Sequence, residues 1–225
     1  MIVYDSLNFL HLLFFVYWLG GDLGTYYASL FVGNSELSVD GRVAALKIMA
    51  GVDMGPRICM PMIFALGIHL GYLDTSLDIP GIAVVLVWVV SLIWLGLVFA
   101  VHKQAGLSSG DKLARFDMGF RTVLIAIMTF VALYGLATEE IVRFQWIGYK
   151  LLIMAALVAA GLMIRVRLTP FMPAFTKLIT DGPSDDINKQ ISTSLLGCRP
   201  WVYLIWFGVT LNAAIGVNIY NLFRG

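Results

Sequence analysis

Six apolar runs, each close to the length of a bilayer crossing, leave this chain little choice of solvent. A hydrocarbon core of about 30 Å takes roughly 20 apolar residues in a helix. Such runs are predicted at 7–32, 54–73, 81–102, 119–138, 145–166 and 200–222. Inside lipid every backbone polar group must find its partner within the segment, so consecutive runs of this length fold as helices. The expected architecture is an all-α, polytopic transmembrane helical bundle of about six spanning helices, forming a single domain over 1–225. Composition agrees: 60% of residues are hydrophobic and 13% charged, about half the charge of an ordinary soluble domain. The first expected partner is therefore the lipid bilayer. A net charge of +1 offers nothing to nucleic acid. Cys59 and Cys198 are distant and form no CxxC pair, so they read as reduced packing cysteines. No Lys or Arg precedes the first run, so it reads as a retained span rather than a cleaved leader.

The few charges sort by loop. Arg42, Lys47 and Arg57 flank the first connection, Lys103, Lys112, Arg115 and Arg121 the third, and Arg167, Lys177, Lys189 and Arg199 the fifth. Between them, 74–80 carries two aspartates and no base, and 139–144 sets Glu139 and Glu140 against Arg143. Basic loops stay in the cytoplasm, which predicts both termini outside and, as location, a bacterial inner membrane. Two basic connections have a pattern of their own. Residues 38–50 read as a short interfacial helix with Asp40 near its start. Residues 171–196 read as two amphipathic pieces about a turn at Asp181-Gly-Pro-Ser-Asp-Asp. Gly55-Pro56-Arg57 and Gly197-Cys198-Arg199-Pro200, each opening a span after such a loop, form a faint internal echo.

Ionisable residues at membrane depth are costly and tend to face a functional interior. His11, Trp18 and Asp22 fall seven and four residues apart, on one helical stripe. His11 lies about one turn into the first span and His69 about one turn before the second ends. At about 1.5 Å per residue both sit within roughly 10 Å of the outer surface. His102 ends the third span at the other face, about 25–30 Å away. Two neutral imidazoles meeting between adjacent helices suit axial ligation of haem b, or a copper or zinc ion. Haem needs only one or two axial residues, and Phe14, Phe15, Trp18, Gly67 and Gly71 are available to its ring. The plainer alternative is that both histidines bond to backbone or water. Lys150 enters at the same depth, either to meet a haem propionate or to snorkel beside Trp146 and Tyr149. At the inner end Asp53 and Arg57 are spaced to pair, and Asp22 is the expected interhelical partner of Arg57. Cys59-Met60-Pro61-Met62 offers soft ligands for copper, with core packing as the alternative.

His11-x6-Trp18-x-Gly20-Gly21 resembles the first-helix signature of the CopD copper-resistance membrane family. The continuation through Tyr26, Tyr27, Leu30, Phe31 and Val32 is similar to HemJ-type protoporphyrinogen oxidases, and Trp146 to Lys150 resembles the lysine-bearing later helix of both groups. The HemJ likeness implies that His11 and Lys150 are haem- or porphyrin-site residues; the CopD likeness implies copper transport or homeostasis. The expectation is a membrane haem b protein taking part in electron transfer near the outer face, with cofactor residues His11, His69, Lys150 and Trp18. Copper handling of CopD type, or service as a non-catalytic subunit of a larger membrane redox complex, stands as the alternative. Whether it is an oxidoreductase in its own right is left open.

Overall fold

The computed structural model describes residues 2–104 and 108–217. It contains eight helices: α1 (Ile2–Gly33), α2 (Val39–Val52), α3 (Met54–Leu73), α4 (Gly81–Lys103), α5 (Ser108–Thr138), α6 (Gln145–Arg167), α7 (Phe171–Thr180) and α8 (Asp185–Gly216). Six of the helical stretches are long and apolar enough to cross a membrane. Among the described residues there is no strand, only an isolated bridge between Leu77 and Val142.

The six long helices pack as a closed ring in chain order. Neighbours are α1 and α3, α3 and α4, α4 and α5, α5 and α6, α6 and α8, and finally α8 against α1. All six send side chains into one central core, including Trp18, Met60, Trp94, Met128, Leu157 and Val209. Outward, α4 and α5 expose Ile82, Leu86, Ile93, Val123 and Phe130. A helix apolar on every side belongs in lipid or deep in a core, and these faces have no protein against them.

Helix ends depart from the expected spans where charge misled the reading. α5 begins at Ser108, eleven residues before the predicted 119, because Asp111 to Asp117 continue as helix beyond the apolar run. α8 begins at Asp185, with Ser184 accepting from the Ile187 N–H at 3.4 Å and Asp185 and Asp186 in the first turn. Both devices favour a helix start, so the second amphipathic piece is the first turns of the last spanning helix. The helix runs on through Pro200, and positions 218–222 of that predicted span lie outside the described residues. The echo of Gly55-Pro56-Arg57 is therefore unequal: α3 starts afresh after Asp53, whereas Gly197 to Pro200 lie mid-helix.

The expected short helix is α2, with Asp40 in its first turn as the sequence suggested and Ser38 as its cap. Together with α7 and the ends of α1 and α8 it encloses a second core of Val32, Ala45, Phe171, Phe175, Leu178 and Ile191. Arg42 stitches this layer. Its side chain is buried, its Nε donates to the Val32 carbonyl at 2.9 Å and its Nη1 to Asn188 Oδ1 at 2.7 Å. The Val32 carbonyl is one of the unsatisfied acceptors at the end of α1, where a cation is favoured.

At the opposite end the two acidic loops meet. Asp78 N donates to the Ile141 carbonyl at 3.0 Å and Arg143 N to Ser76 at 3.1 Å. Leu77, Val142 and Ile147 form a small third core beneath them.

Candidate functional site

Below that clasp lies a cavity of about 410 Å³, within the range of small-molecule sites. Its walls come from α1, α3, α6 and α8, with Leu77 reaching in from the loop. The α1 wall carries His11, Phe15 and Trp18, and α3 carries Phe64, Gly67 and Gly71. α6 contributes Trp146, Lys150 and Met154, and α8 contributes Val209 and Asn212. Aromatic and aliphatic groups dominate, with Tyr4, Asn8 and Asp74 also on the lining.

His11 belongs to this cavity because α3 makes room for it. A methyl group at Gly67 would lie 3.2 Å from His11 Cε1, so the bare Cα lets the imidazole edge pack closely against α3. One turn on, a methyl at Gly71 would stand 2.8 Å from Leu77 Cδ1. The Nδ1 of His11 is buried and has no hydrogen-bond partner among the described residues. Trp18, almost wholly buried, lies two turns deeper on the same α1 stripe. Lys150 crosses from α6 toward α8. Its Nζ stands 5.7 Å from the Trp146 ring centroid and fits where Gly216 has no side chain. It joins none of the ion pairs among the described residues. It is partly exposed and lies on the cavity lining, with its ammonium beside Trp146 at the end of α8.

His69 is a correction. It does not line the cavity. Two residues along a helix turn a side chain by about 200°, so between Gly67 and Gly71 it points away from α1, toward α4. There its Nδ1 accepts from Trp88 Nε1 at 3.3 Å, with the two rings edge to face. The two histidines predicted to meet occupy opposite faces of α3.

The other end of the bundle also differs from expectation. Arg57 pairs with Asp53, as their spacing allowed, but not with Asp22. Asp53 sits one turn before Arg57 on the same helix start, so that pair forms whatever the helix packing. Asp22 keeps a buried Oδ2 without a partner. Close packing follows Gly21 rather than Gly20: a methyl at Gly21 would lie 2.5 Å from Pro56 Cδ, whereas Gly20 has open space. Cys59 and Met60 are buried in the central core, and the Met60 methyl lies 3.8 Å from where a Gly161 methyl would be. Among the described residues, no three His, Cys, Asp or Glu side chains gather as a metal-binding group.

Two features escaped the sequence reading. Asn212 donates to the Lys150 carbonyl at 3.3 Å, which leaves its Oδ1 buried and without a partner at the cavity. The signal was a lone amide in an apolar run. Deeper, Asp117 is fully buried and holds two cations, Arg121 Nε at 3.1 Å and Arg165 Nη1 at 2.5 Å. The guanidinium of Arg121 lies 5.4 Å from the Trp94 ring centroid. The i, i+4 spacing of Asp117 and Arg121 was visible, but the assumed span boundary at 119 fell between them.

Compared with family models, curated proteins and solved structures, the chain matches none.

Proposed function

We propose that this chain is an integral membrane haem b protein that takes part in electron transfer near the outer face of a bacterial inner membrane. The observation that carries the reading is an aromatic cavity with His11 on one wall and, on another, Lys150, which joins no ion pair among the described residues. A neutral imidazole is a common axial ligand of haem iron. Phe15, Trp18 and Phe64 supply a flat apolar surround, and Gly67 keeps space beside the imidazole. Lys150 is placed to neutralise a propionate. Haem, when bound, supplies reversible one-electron exchange at iron. The protein's own part is to orient His11 by its seat against Gly67, to exclude water with the Trp18 and Leu157 floor, and to cover the site with Leu77. The likeness of the first helix to CopD and HemJ proteins supports the same residues. An electron donor outside the membrane and an acceptor within it, either quinone or a larger redox complex, complete the reading.

The test is the absorbance of the detergent-purified protein, oxidised and reduced, together with iron and copper content. The expectation is a Soret band with reduced α and β bands, stoichiometric iron, and loss of the Soret band in His11→Ala. A colourless protein, copper in place of iron, or a Soret band unchanged in His11→Ala would sink the proposal.

A further inference from the structure

We propose that a cleft between α1 and α8, at the end of the bundle that carries α2 and α7, binds the headgroup of one anionic phospholipid, its phosphodiester held by Arg199. The cleft is separate from the aromatic cavity and needs no haem. Its volume is about 110 Å³, well below the roughly 300–1,000 Å³ of sites for whole small molecules but enough for a single phosphate. Close packing makes its floor: a methyl at Gly33 would lie 3.2 Å from Leu195 Cδ1. Donors line it. Arg199 enters none of the ion pairs among the described residues, and its guanidinium stands 5.9 Å from the Tyr26 ring centroid. Asn34 accepts from the Glu36 N–H through its Oδ1 at 3.0 Å, so its amide N–H groups are what it has left to offer. Ser192 adds a hydroxyl. No Asp or Glu is on the lining. A phosphate therefore meets an arginine and neutral donors, whereas the ammonium of a zwitterionic headgroup finds no carboxylate. A guanidinium fork matches phosphate oxygens, and basic pockets between spanning helices suit acidic headgroups.

The occupant is a lipid rather than a dissolved anion because the cleft opens on the apolar outer surface of the bundle. Leu30 and Leu196, both on its lining, are exposed. Leu196, Arg199, Tyr203 and Phe207 fall three, four and four residues apart, on one stripe of α8, and Tyr203 and Phe207 are exposed as well. An acyl chain leaving a phosphate at Arg199 has that stripe as its track. Tyr26 and Tyr203, whose hydroxyls bond at 2.9 Å, supply the amphipathic rings typical of headgroup depth.

Native mass spectrometry of the full chain in detergent, titrated with phosphatidylglycerol or phosphatidylcholine of identical acyl chains, tests the site. The parent should retain one phosphatidylglycerol and bind it about fivefold more tightly than phosphatidylcholine, the contribution of one cation near an acidic headgroup. Arg199→Gln should remove that preference and Arg199→Lys keep part of it. Lys189→Gln, at an exposed charge off the lining, should leave it unchanged. Ser192→Phe fills the cleft with Arg199 in place, so it should lose the preference whether or not Arg199→Gln folds. Equal binding of the two lipids by the parent, an unchanged preference in Arg199→Gln or Ser192→Phe, or an equal loss in Lys189→Gln overturns the proposal. Inorganic phosphate that raises the Tm of the lipid-free parent, but not that of Arg199→Gln, makes the occupant a dissolved anion and overturns the choice of lipid.

Discussion

Replacing Asp117 by Asn tests whether the buried charges around it hold the ring together. Asp117 has no solvent exposure, Arg121 is 3% exposed, and the Arg165 side chain retains 20%. The carboxylate is the sole counter-charge in contact with either arginine among the described residues. An Asn keeps the shape and one acceptor but leaves two guanidiniums, from α5 and α6, facing each other without an anion. Removing one partner from a buried pair costs about 3–5 kcal/mol. Arg165 can turn partly to water, so the lower end applies, about 3 kcal/mol, or roughly a hundredfold in the folding constant. For a chain of this size that is a fall of roughly 6–12 °C in Tm. Thermal unfolding in detergent, followed by loss of the monodisperse peak, reads it out. Arg121→Gln should cost more than Arg165→Gln, because Arg121 is the more enclosed and also loses its contact with Trp94. Replacing the three together by Leu, Met and Met should regain most of the loss, since apolar groups of similar volume carry no desolvation cost. If Asp117→Asn melts within about 1 °C of the parent, the two arginines have other compensation and the reasoning fails.

Three further outcomes follow from particular contacts. Arg42→Met removes two charge-assisted hydrogen bonds, each worth about 1.5–3 kcal/mol, and should loosen the α2–α7 layer, seen as faster protease cleavage at 181–184 with the ring still folded. Gly67→Leu puts a side chain where the His11 ring lies and should abolish the Soret band while size-exclusion behaviour is kept; a normal band would disprove the seating of His11. Lys150→Gln should lower haem retention about tenfold or more and Lys150→Arg restore it, because the expected contact is electrostatic; equal retention in both would remove Lys150 from the site.

How much of this was legible divides along a physical line. Position along a helix is a count of residues at a fixed rise, so the level of His11, His69 and Lys150 along the bundle was readable, as were the six helices long and apolar enough to cross a membrane and the short helices α2 and α7. Direction around the helix is not a count. In a soluble helix polarity marks the outward face, but a helix that meets lipid on one side and apolar protein on the other carries little contrast. α3 therefore gave no polar stripe from which to tell that His69 pointed at α4. The buried charges around Asp117 failed differently: an apolar run ends at its first charges, and a helix does not. Asp117 was assigned to a connection because the run stopped there, while the backbone continues as helix two turns and more before it.

A second signal was present and does fix direction. Helices approach closely in lipid where residues are small, and α3 carries Gly67 and Gly71 one turn apart. Both lie on the stripe that meets α1 and the cavity, one against His11 and the other against Leu77. A residue midway between them must face elsewhere, so the glycine pair alone separates His69 from His11 before any coordinates are seen. The same logic works on α1, where Gly21 and Gly24 press against Pro56 and Val52 while Gly20 touches nothing. Small residues at spacing three or four thus do for a membrane helix what polarity does for a soluble one. The candidate site sits where that spacing and an ionisable residue on the facing helix coincide, which in this chain selects His11.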